Sequence, residues 1–504
     1  MAQSATLAVE PCKAQKGSAK LAAANQYIEQ HRNVVNAMFR PSYHLAPPVG
    51  WINDPNGFAW FHGKYHLFAQ FHPYSSQWGP MHWGHWVSDD LVRWTWVDVA
   101  LAPDTKADEG GCFSGTSLQK DDQLYVMYTG LCESETGQSY QQQCLAASRD
   151  GMVFHKDEQN PVIDRSQLPQ DVSAFDFRDP KLFRAKDGYR AVIAAKNTVS
   201  GGCLLVYSSS TMREWTYRGV FLGNIQCMPE CPDVFELGGK TMVMASLIGS
   251  PKDGLRYPSE RPVVLFCGSM NDESTRFTEE QRFLLDYGMD FYAPQTLLAP
   301  DGRLLMVGWL QSWNHQMPTD YLNHRWNGCM SMIRELRYED GRLIQSPVRE
   351  LEQFRSAPQT ASLRAPEQAL SLSLSQAEEV LIHVDAKSAE RLSLFFFDAQ
   401  NEFLQLDLFP AQGILKLDQS RCGYSTALEP NADDGTEAPF RLIDSAVDLR
   451  VYLDACSMEV FVNGGEQVLS TRVFPKNAGT GFRVQTNGDC DVQVTAFALT
   501  VEKS

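Results

Sequence analysis

The 504-residue sequence lacks the basic charge and the long apolar segments that mark nucleic-acid and membrane proteins. Lysine and arginine number 44 against 61 acidic residues, which gives a formal net charge of −17 at pH 7. Because an acidic surface repels phosphate backbones and anionic lipids, we expect no nucleic-acid partner and no membrane partner. No run approaches the roughly 18 apolar residues of a membrane span, and the first 20 residues hold no apolar signal core. A neutral small molecule is the ligand that this charge favours.

The 12 cysteines lack the paired spacing of a disulfide framework or a zinc site. They are scattered from Cys12 to Cys490 and include no CxxC pair. This pattern is typical of free thiols in a reducing compartment, so we expect a cytoplasmic protein. The alternative is an organellar transit peptide, because the N-terminal residues contain lysines and few acids.

The sequence also lacks the HExxH motif, although five of its 11 histidines fall between residues 62 and 85. His62 and His66 flank a predicted turn, and His82 and His85 lie among tryptophans. These surroundings favour aromatic packing or sugar hydrogen bonds over metal ligation. We therefore expect no metal ion and no cofactor.

The sequence does contain a hairpin pattern that recurs along the chain. A proline opens each hairpin, at Asp54-Pro55, Asp179-Pro180, Cys231-Pro232 and Ala293-Pro294. Glycines mark the turns that follow, at Gly63, Asp187-Gly188, Gly238-Gly239 and Asp301-Gly302. Since proline disfavours a helical conformation at the preceding residue, we expect Asp54 to be extended where its strand begins.

A second pattern recurs with a period near 60 residues. Segments 88–94, 148–154 and 209–215 each begin with serine and end with an aromatic residue. A period of this size with about four short strands per unit is typical of a β-propeller, whose blades each present one strand at the central axis. Hairpins that open near residues 55, 114, 180, 232 and 294 predict five blades. Side chains at the starts of these strands should then converge.

We predict an all-β protein in which a five-bladed β-propeller is followed by a β-sandwich. Residues 1–43 are expected to form a tail and an amphipathic helix within residues 18–39, and residues 44–350 the propeller. Residues 351–368 are rich in Ser, Pro, Gln and Ala, which suits a linker. Residues 369–504 alternate apolar and polar positions, as the half-buried strands of a sandwich do.

Three acids lie at or beside strand starts that the repeats bring together, namely Asp54, Asp179 and Glu230. Two carboxyls are enough for glycoside hydrolysis. A retaining enzyme uses an ionised nucleophile and a protonated acid about 5 to 5.5 Å apart. However, the repeat alignment puts Cys231 at the level of Asp54 and Asp179, so spacing alone does not select Glu230.

Residues 44–57, HLAPPVGWINDPNG, resemble the signature of the β-fructofuranosidases of glycoside hydrolase family 32. Further segments resemble blocks of the same family in the same order: 70–73, 78–85, 113–115, 177–181, 230–233, 290–295 and, near the C-terminus, 453–463. The likeness extends over nearly the whole chain, and the motifs are specific as a set. Pro229 departs from many relatives, which have an aromatic residue before the acid/base glutamate.

The resemblance implies a propeller followed by a sandwich, and retaining hydrolysis of the β-D-fructofuranosyl bond of sucrose through a covalent fructosyl-enzyme intermediate. It implies that Asp54 is the nucleophile, Asp179 the transition-state stabiliser and Glu230 the acid/base. The substrate contacts that it implies are Trp51, Ile52, Asn53, Gln70, Trp78, Phe113, Ser114, Arg178 and Trp309. Among these, Arg178 is expected to grip a fructose hydroxyl and to lower the pKa of Asp179.

Two other functions fit the sequence. Hydrolysis of sucrose 6-phosphate needs a basic subsite, for which Lys252, Arg256 and Arg325 are the candidates. A fructan-binding propeller without catalysis could share the fold, although the presence of all three acids argues against it. Comparing turnover of sucrose and of its 6-phosphate separates the first alternative, and release of reducing sugar separates the second.

Overall fold

The computed structural model describes residues 18–365, 370–399, 401–428, 434–477 and 479–502. The predicted tail up to residue 17, with Cys12, and residues 366–368 of the predicted linker lie outside the described residues. Within the described ranges, no helix is long and apolar enough to cross a membrane.

The strands of the first 350 residues form five sheets that follow one another along the chain. The first sheet holds β1 (Gly50–Phe61), β2 (Lys64–His72), β3 (His82–Ser88) and β4 (Thr95–Leu101). The second holds β5 (Gly111–Lys120), β6 (Gln123–Glu133), β7 (Ser139–Ser148) and β8 (His155–Lys156). The third holds β9 (Val172–Ala185), β10 (Gly188–Asn197), β11 (Gly201–Ser209) and β12 (Thr216–Ile225). The fourth holds β13 (Met228–Leu237), β14 (Lys240–Ile248), β15 (Val263–Met270) and β16 (Phe277–Leu284).

The fifth sheet is the last before the C-terminal part. It begins with β17 (Tyr292–Leu298) and β18 (Leu304–Trp309). The short strand β19 (Trp326–Asn327) then joins the first sheet, parallel to β1. The fifth sheet is completed by β20 (Arg334–Glu339) and β21 (Arg342–Pro347). The first strands of the five sheets contact one another in a ring. In order, β1 contacts β5, β5 contacts β9, β9 contacts β13, β13 contacts β17, and β17 contacts β1. This arrangement brings the first strands to one axis, as in a propeller.

Helix α1 spans Ala19–His31, and Ser18 caps it by accepting a hydrogen bond from the Leu21 amide. Its buried residues Ala24 and Ile28 join the core of the first sheet, where the helix contacts β4. The helix is shorter than the predicted segment 18–39, because the chain leaves it through a 3-10 turn at Arg32–Val34. The second helix, α2 (Pro318–Tyr321), is a single turn.

The C-terminal strands form two six-stranded sheets with a shared core, which agrees with the predicted sandwich. One sheet holds β22 (Gln359–Arg364), β24 (Glu378–Asp385), β29 (Ala446–Asp454), β30 (Ser457–Val462), β31 (Gln467–Arg472) and β33 (Asp491–Ala498). The other holds β23 (Leu370–Ser373), β25 (Arg391–Ala399), β26 (Glu402–Phe409), β27 (Ile414–Asp418), β28 (Gly435–Pro439) and β32 (Gly481–Asn487). Alternate residues such as Leu404, Leu406 and Leu408 are fully buried between the sheets, as the period-two pattern predicts.

Part of the predicted linker, residues 351–368, has regular secondary structure. Residues 359–364 form β22, an edge strand that pairs with β33, and a 3-10 helix at Arg349–Phe354 precedes it. The polar composition misleads here because an edge strand buries little: Leu363 is the buried residue of β22, and its other residues are exposed or half-buried.

A buried group of charged side chains joins the propeller to the sandwich. His44 lies before β1 and donates to Asp454 Oδ2 at 2.8 Å and to Glu459 Oε1 at 3.0 Å. Arg334 of β20 donates to Glu459 Oε2 at 2.7 Å and to Asp286 Oδ2 at 2.9 Å. Removing one member of such a network leaves an uncompensated buried charge, so we expect each member to matter for stability.

Burial by itself lowers the pKa of His44, but the hydrogen bonds to Asp454 and Glu459 outweigh it and raise that pKa to about 9. Because the folded pKa lies above the ordinary value of 6.5, protonated His44 stabilises the fold. This contribution is fully present below about pH 6.5 and is lost as the pH rises through about 9.

Replacing His44 with glutamine is therefore expected to lower the free energy of unfolding by about 3 kcal/mol at pH 6. The difference from the unchanged protein should shrink as the pH approaches 9.5, and urea unfolding at both pH values measures it. His383→Gln is the matched control, because His383 bonds Asp448 at 2.7 Å on the exposed surface. A loss that is the same at both pH values, or the same in both variants, would contradict the role of the His44 charge.

Candidate active site

The first strand of every propeller sheet loses its regular pairing at a short stretch, and four of these stretches hold predicted site residues. The breaks follow Ile52 in β1, Cys112 in β5, Arg178 in β9, Glu230 in β13 and Tyr292 in β17. An irregularity of this kind bends a strand and re-aims its side chains. The ring of first strands therefore brings five re-aimed stretches to one place.

Three of these stretches share an unusual backbone conformation. The residue before the proline has a positive φ, which is 61° at Asp179, 46° at Cys231 and 49° at Ala293. Such angles cost side-chain-bearing residues on the order of 1–3 kcal/mol and persist only where the surroundings impose them. The shared angle agrees with the repeat alignment that put Cys231, and not Glu230, at the level of Asp179.

A cavity of ≈ 580 Å³ is lined by residues of four of these stretches, those of β1, β5, β9 and β13. Eight of the predicted site residues line it, namely Asn53, Asp54, Gln70, Trp78, Phe113, Arg178, Asp179 and Glu230. Trp313 lines it too. The three acids are thus brought to one cavity from β1, β9 and β13.

Asp54 is buried and only one of its carboxyl oxygens is engaged. Oδ2 accepts a hydrogen bond from Ser114 Oγ at 2.6 Å and lies 3.4 Å from Cys231 Sγ. Oδ1 is buried without a hydrogen-bond partner among the described residues. Burial raises the pKa of Asp54, the Ser114 hydrogen bond opposes the rise, and the charge of Glu230 adds to it. Asp54 therefore keeps one oxygen that no described residue of the protein engages.

Asp179 carries the pKa of this site that departs most clearly from the sequence expectation. Its Oδ2 accepts from the Cys231 amide at 2.9 Å, and Arg178 Nε lies 4.0 Å away. Burial raises the pKa of Asp179 to about 7; Arg178 opposes this rise, while the charges of Glu230 and Asp54 add to it. As expected, the charge of Arg178 by itself lowers the pKa of Asp179. Burial and the two neighbouring carboxylates outweigh this effect, so the pKa is raised overall.

Glu230 is the most accessible of the three acids, with 18 % of its side chain exposed against 5 % for Asp179. Arg178 Nε donates to Oε1 at 3.1 Å, and the Tyr292 hydroxyl donates to Oε2 at 2.7 Å. Arg178 is itself held by Asp176 and Gln141. These contacts fix the direction in which the Glu230 carboxyl points.

Four predicted contacts do not line the cavity. Ile52 and Trp309 are fully buried in apolar clusters, so they support the site from behind. Trp51 donates from Nε1 to Asn53 Oδ1 at 2.8 Å, and Ser114 donates to Asp54. Trp51 and Ser114 therefore act through the residues that they hold.

Sequence reasoning did not assign Tyr292, Gln141 or Arg261 to the site. Tyr292 holds Glu230, and its place before the fourth proline of the repeat is a signal that could have found it. Gln141 and Arg261 line the cavity from β7 and from the segment before β15. Nothing in their sequence surroundings distinguishes them from other loop and strand residues.

The basic candidates from the sequence lie elsewhere. Lys252, Arg256 and Arg325 are exposed and are not among the residues that line this cavity. Arg256 pairs with Asp253 at 3.8 Å, and Lys252 lines a separate cavity of ≈ 410 Å³. Arg261 is the cation that the structure brings to the acids in addition to Arg178.

Of the histidines between residues 62 and 85, His62 bonds Asp122 Oδ1 at 3.1 Å, and the other four bond one another or the backbone. His66 Nδ1 and His85 Nε2 are 3.0 Å apart, and His72 and His82 each bond the carbonyl of Pro80. Within the described part of the chain, no three His, Cys, Asp or Glu side chains are grouped as metal ligands would be.

Two family models match the chain. The glycosyl hydrolases family 32 N-terminal domain matches residues 44–347, and the glycosyl hydrolases family 32 C-terminal model matches residues 344–501. A sucrose-6-phosphate hydrolase from Escherichia coli is 37% identical over 478 residues, which cover 90% of this chain and 93% of that protein. A raffinose invertase from Escherichia coli is 36% identical over 454 residues, covering 86% and 90%.

A solved structure agrees with the fold as well. A mutant of a GH32 β-fructofuranosidase from Bombyx mori in complex with sucrose has a TM-score of 0.80 and 31% identity. The match covers 96% of this chain and 99% of that one. The predicted fold class, a β-propeller followed by a β-sandwich, is thereby confirmed.

Proposed function

The chain belongs to glycosyl hydrolases family 32, and on this basis we propose that it hydrolyses the β-fructofuranosyl bond of sucrose with retention of configuration. It is a glycoside hydrolase that acts on fructosides. The named relatives include a sucrose-6-phosphate hydrolase and a raffinose invertase, and a related structure holds sucrose. Glucose and fructose are the products of this reaction.

One observation carries the proposed chemistry: three carboxyls from three different strands line one cavity, and one oxygen of Asp54 has no hydrogen-bond partner among the described residues. Retaining hydrolysis needs a carboxylate that attacks and a second carboxyl that supplies a proton. Asp54 suits the first role because Ser114 holds Oδ2 and leaves Oδ1 without a partner among the described residues. Glu230 suits the second role because it is the acid most open to solvent.

The reaction then runs in two steps. Glu230 protonates the glycosidic oxygen as Asp54 Oδ1 bonds to the fructosyl anomeric carbon, so glucose leaves and a fructosyl ester forms on Asp54. Glu230, now a carboxylate held by Arg178 and Tyr292, takes a proton from water as the water breaks that ester. Fructose leaves and both carboxyls return to their starting states.

Asp179 fits the role of transition-state stabiliser. It lines the same cavity as Asp54, and its Oδ2 accepts a hydrogen bond from the Cys231 amide. Positive charge develops on the fructosyl ring in the transition state, and a nearby carboxylate stabilises that charge. The pKa of Asp179 is raised to about 7 because burial and two nearby acids destabilise its ionised form. A positively charged transition state would reduce this destabilisation.

Initial product analysis tests retention. We expect the fructose released first to be the β anomer, because two inversions at the anomeric carbon restore its configuration. Proton NMR during the first turnovers of sucrose, before mutarotation, measures the anomer, and an acid-hydrolysed sample is the reference for the equilibrium mixture. Fructose released first as the α anomer would mean a single displacement and would exclude a covalent role for Asp54.

We further propose a cytoplasmic location. The described cysteines are free thiols, and all of them except Cys227 are buried. Unpaired buried cysteines suit a reducing compartment. The acidic composition adds solubility.

A further inference from the structure

Strand β31 of the sandwich lies at one edge of its six-stranded sheet, and a segment of the propeller covers its outer side. This segment, residues 285–291, connects β16 in the fourth propeller sheet to β17 in the fifth. Alternate residues of an antiparallel edge strand point their backbone amide and carbonyl groups outward, where they need partners. The 285–291 connection supplies these partners to β31 in place of a further strand.

Two backbone amides of the connection donate to carbonyl groups of β31. The Tyr287 amide donates to the Val468 carbonyl at 2.8 Å, and the Asp290 amide donates to the Ser470 carbonyl at 3.1 Å. The connection therefore follows the edge strand over several residues and does not merely cross it.

Two carboxylates of the connection accept from amides of β31. Asp286 Oδ1 accepts from the Ser470 amide at 2.8 Å, and Asp290 Oδ2 accepts from the Arg472 amide at 2.8 Å. Asp290 is fully buried, and its Oδ1 lies 2.7 Å from His315 Nδ1. Because a buried carboxylate is costly without partners, these bonds fix Asp290 against the sandwich.

The connection leads directly to the hydroxyl that holds the acid/base. Tyr292 lies two residues after Asp290, and its hydroxyl donates to Glu230 Oε2 at 2.7 Å. Since consecutive Cα atoms are about 3.8 Å apart, a fixed Asp290 keeps the Cα atom of Tyr292 within about 7 Å. Phe291 lies between them, and its ring packs on the Arg334 guanidinium, whose carbon is 4.3 Å from the ring centre. The sandwich is thus joined to the Glu230 carboxyl through a short and buried segment.

We infer that Asp290 is a positioning residue through which β31 of the sandwich holds Tyr292, and thereby the Glu230 carboxyl, in place for proton transfer. This inference rests on the proposed function, since it concerns the proton donor of the same site. It gives the sandwich a share in catalysis, although the residues that line the cavity all lie between Asn53 and Trp313. A misplacement of about 1 Å can lower a rate on the order of a hundredfold, so a displaced connection should slow proton donation.

Gly288→Ala tests this role because it moves the connection without removing a polar group. An added Cβ at Gly288 would lie 2.0 Å from the Ser470 carbonyl oxygen, so the connection and β31 must move apart. We expect kcat/KM to fall by about tenfold for sucrose and by less than about twofold for a nitrophenyl fructofuranoside. The nitrophenolate leaves without a proton, whereas a merely structural loss would slow both substrates alike.

Gly268→Ala is the matched control. Its added Cβ would lie 2.0 Å from the Thr278 carbonyl oxygen, so the clash is equally severe but falls between β15 and β16. Thermal unfolding should report a loss of stability in both variants, and Gly268→Ala should leave the ratio of the two substrates unchanged. In a Tyr292→Phe background, Gly288→Ala should slow sucrose by less than about twofold more, because the hydroxyl that it displaces is already absent.

Asp290→Asn is the milder second variant and decides the matter if Gly288→Ala does not fold. An amide offers one accepting oxygen where Asp290 uses two, so we expect about a threefold loss on sucrose with the activated fructoside spared. Equal losses on both substrates, losses that add fully to that of Tyr292→Phe, or unchanged sucrose turnover in the folded variant would overturn the inference.

The inference and the proposed function can fail separately. If the unchanged protein cleaves neither fructoside, the proposed function is wrong, and crystal structures of the unchanged protein and of Gly288→Ala decide the positioning role. The distance from the Tyr292 hydroxyl to Glu230 Oε2, which is 2.7 Å here, should exceed about 3.5 Å in the variant. A hydrogen bond retained in the variant would exclude positioning by β31.

Discussion

Asp54→Asn is expected to reduce sucrose hydrolysis by roughly four orders of magnitude while the protein stays folded. An amide cannot attack the anomeric carbon as a carboxylate does, yet it has nearly the same volume. The Ser114 hydroxyl can still donate to the amide oxygen, so the packing behind the cavity should persist. Steady-state release of reducing sugar measures the activity, and circular dichroism with thermal unfolding measures the fold.

Asp89→Asn is the control for the Asp54 change, because Asp89 pairs with Lys64 on the exposed surface of the first sheet. It should leave the rate unchanged. The proposed nucleophile would be wrong if Asp54→Asn kept even a tenth of the activity. A folded but inactive variant would also provide a form that binds substrate without converting it.

Glu230→Gln is expected to slow sucrose hydrolysis by about a thousandfold, because it removes the proton that the departing glucose needs. The same change should slow an activated fructoside, such as a nitrophenyl fructofuranoside, by less than about tenfold in the first step. A nitrophenolate leaves without protonation, and attack by Asp54 does not require Glu230. Rates on both substrates, measured by pre-steady-state kinetics, separate these two steps.

Tyr292→Phe gives the comparison for the Glu230 change. It removes the hydroxyl that bonds Oε2 at 2.7 Å but leaves the Glu230 carboxyl in place. We expect a smaller loss on sucrose than for Glu230→Gln. An equal loss on sucrose and on the activated fructoside in Glu230→Gln would argue against proton donation by this residue.

Much of the fold follows from local features of the chain. The prolines after Asp54, Asp179, Cys231 and Ala293 mark first strands, and the glycine turns mark their hairpins. These signals are local because proline restricts, and glycine widens, the range of backbone dihedral angles at its own position. The edge strand β22 escaped prediction because its polar surface carries no such signal.

The three acids could be predicted from the sequence because each lies in or beside a motif that recurs or that resembles a family block. The protonation balance among them could not. The pKa of Asp179 rises to about 7 through burial beside Asp54 and Glu230, residues that are distant along the chain. Neither burial nor the distance between such residues can be obtained from spacing in the sequence.

The sequence by itself determined the class of the protein: an acidic all-β chain with repeated proline-led hairpins, motifs that resemble those of a β-fructofuranosidase family, and three acids at or beside strand starts. Only the tertiary structure decided which side chains face the cavity. It set Trp309 and Ile52 behind the site, brought Tyr292 onto Glu230 and left Arg261 without a carboxylate partner among the described residues. The physical reason is that hairpin turns depend on neighbouring backbone angles, whereas exposure, hydrogen bonding and charge compensation depend on contacts that form when distant strands close into a ring.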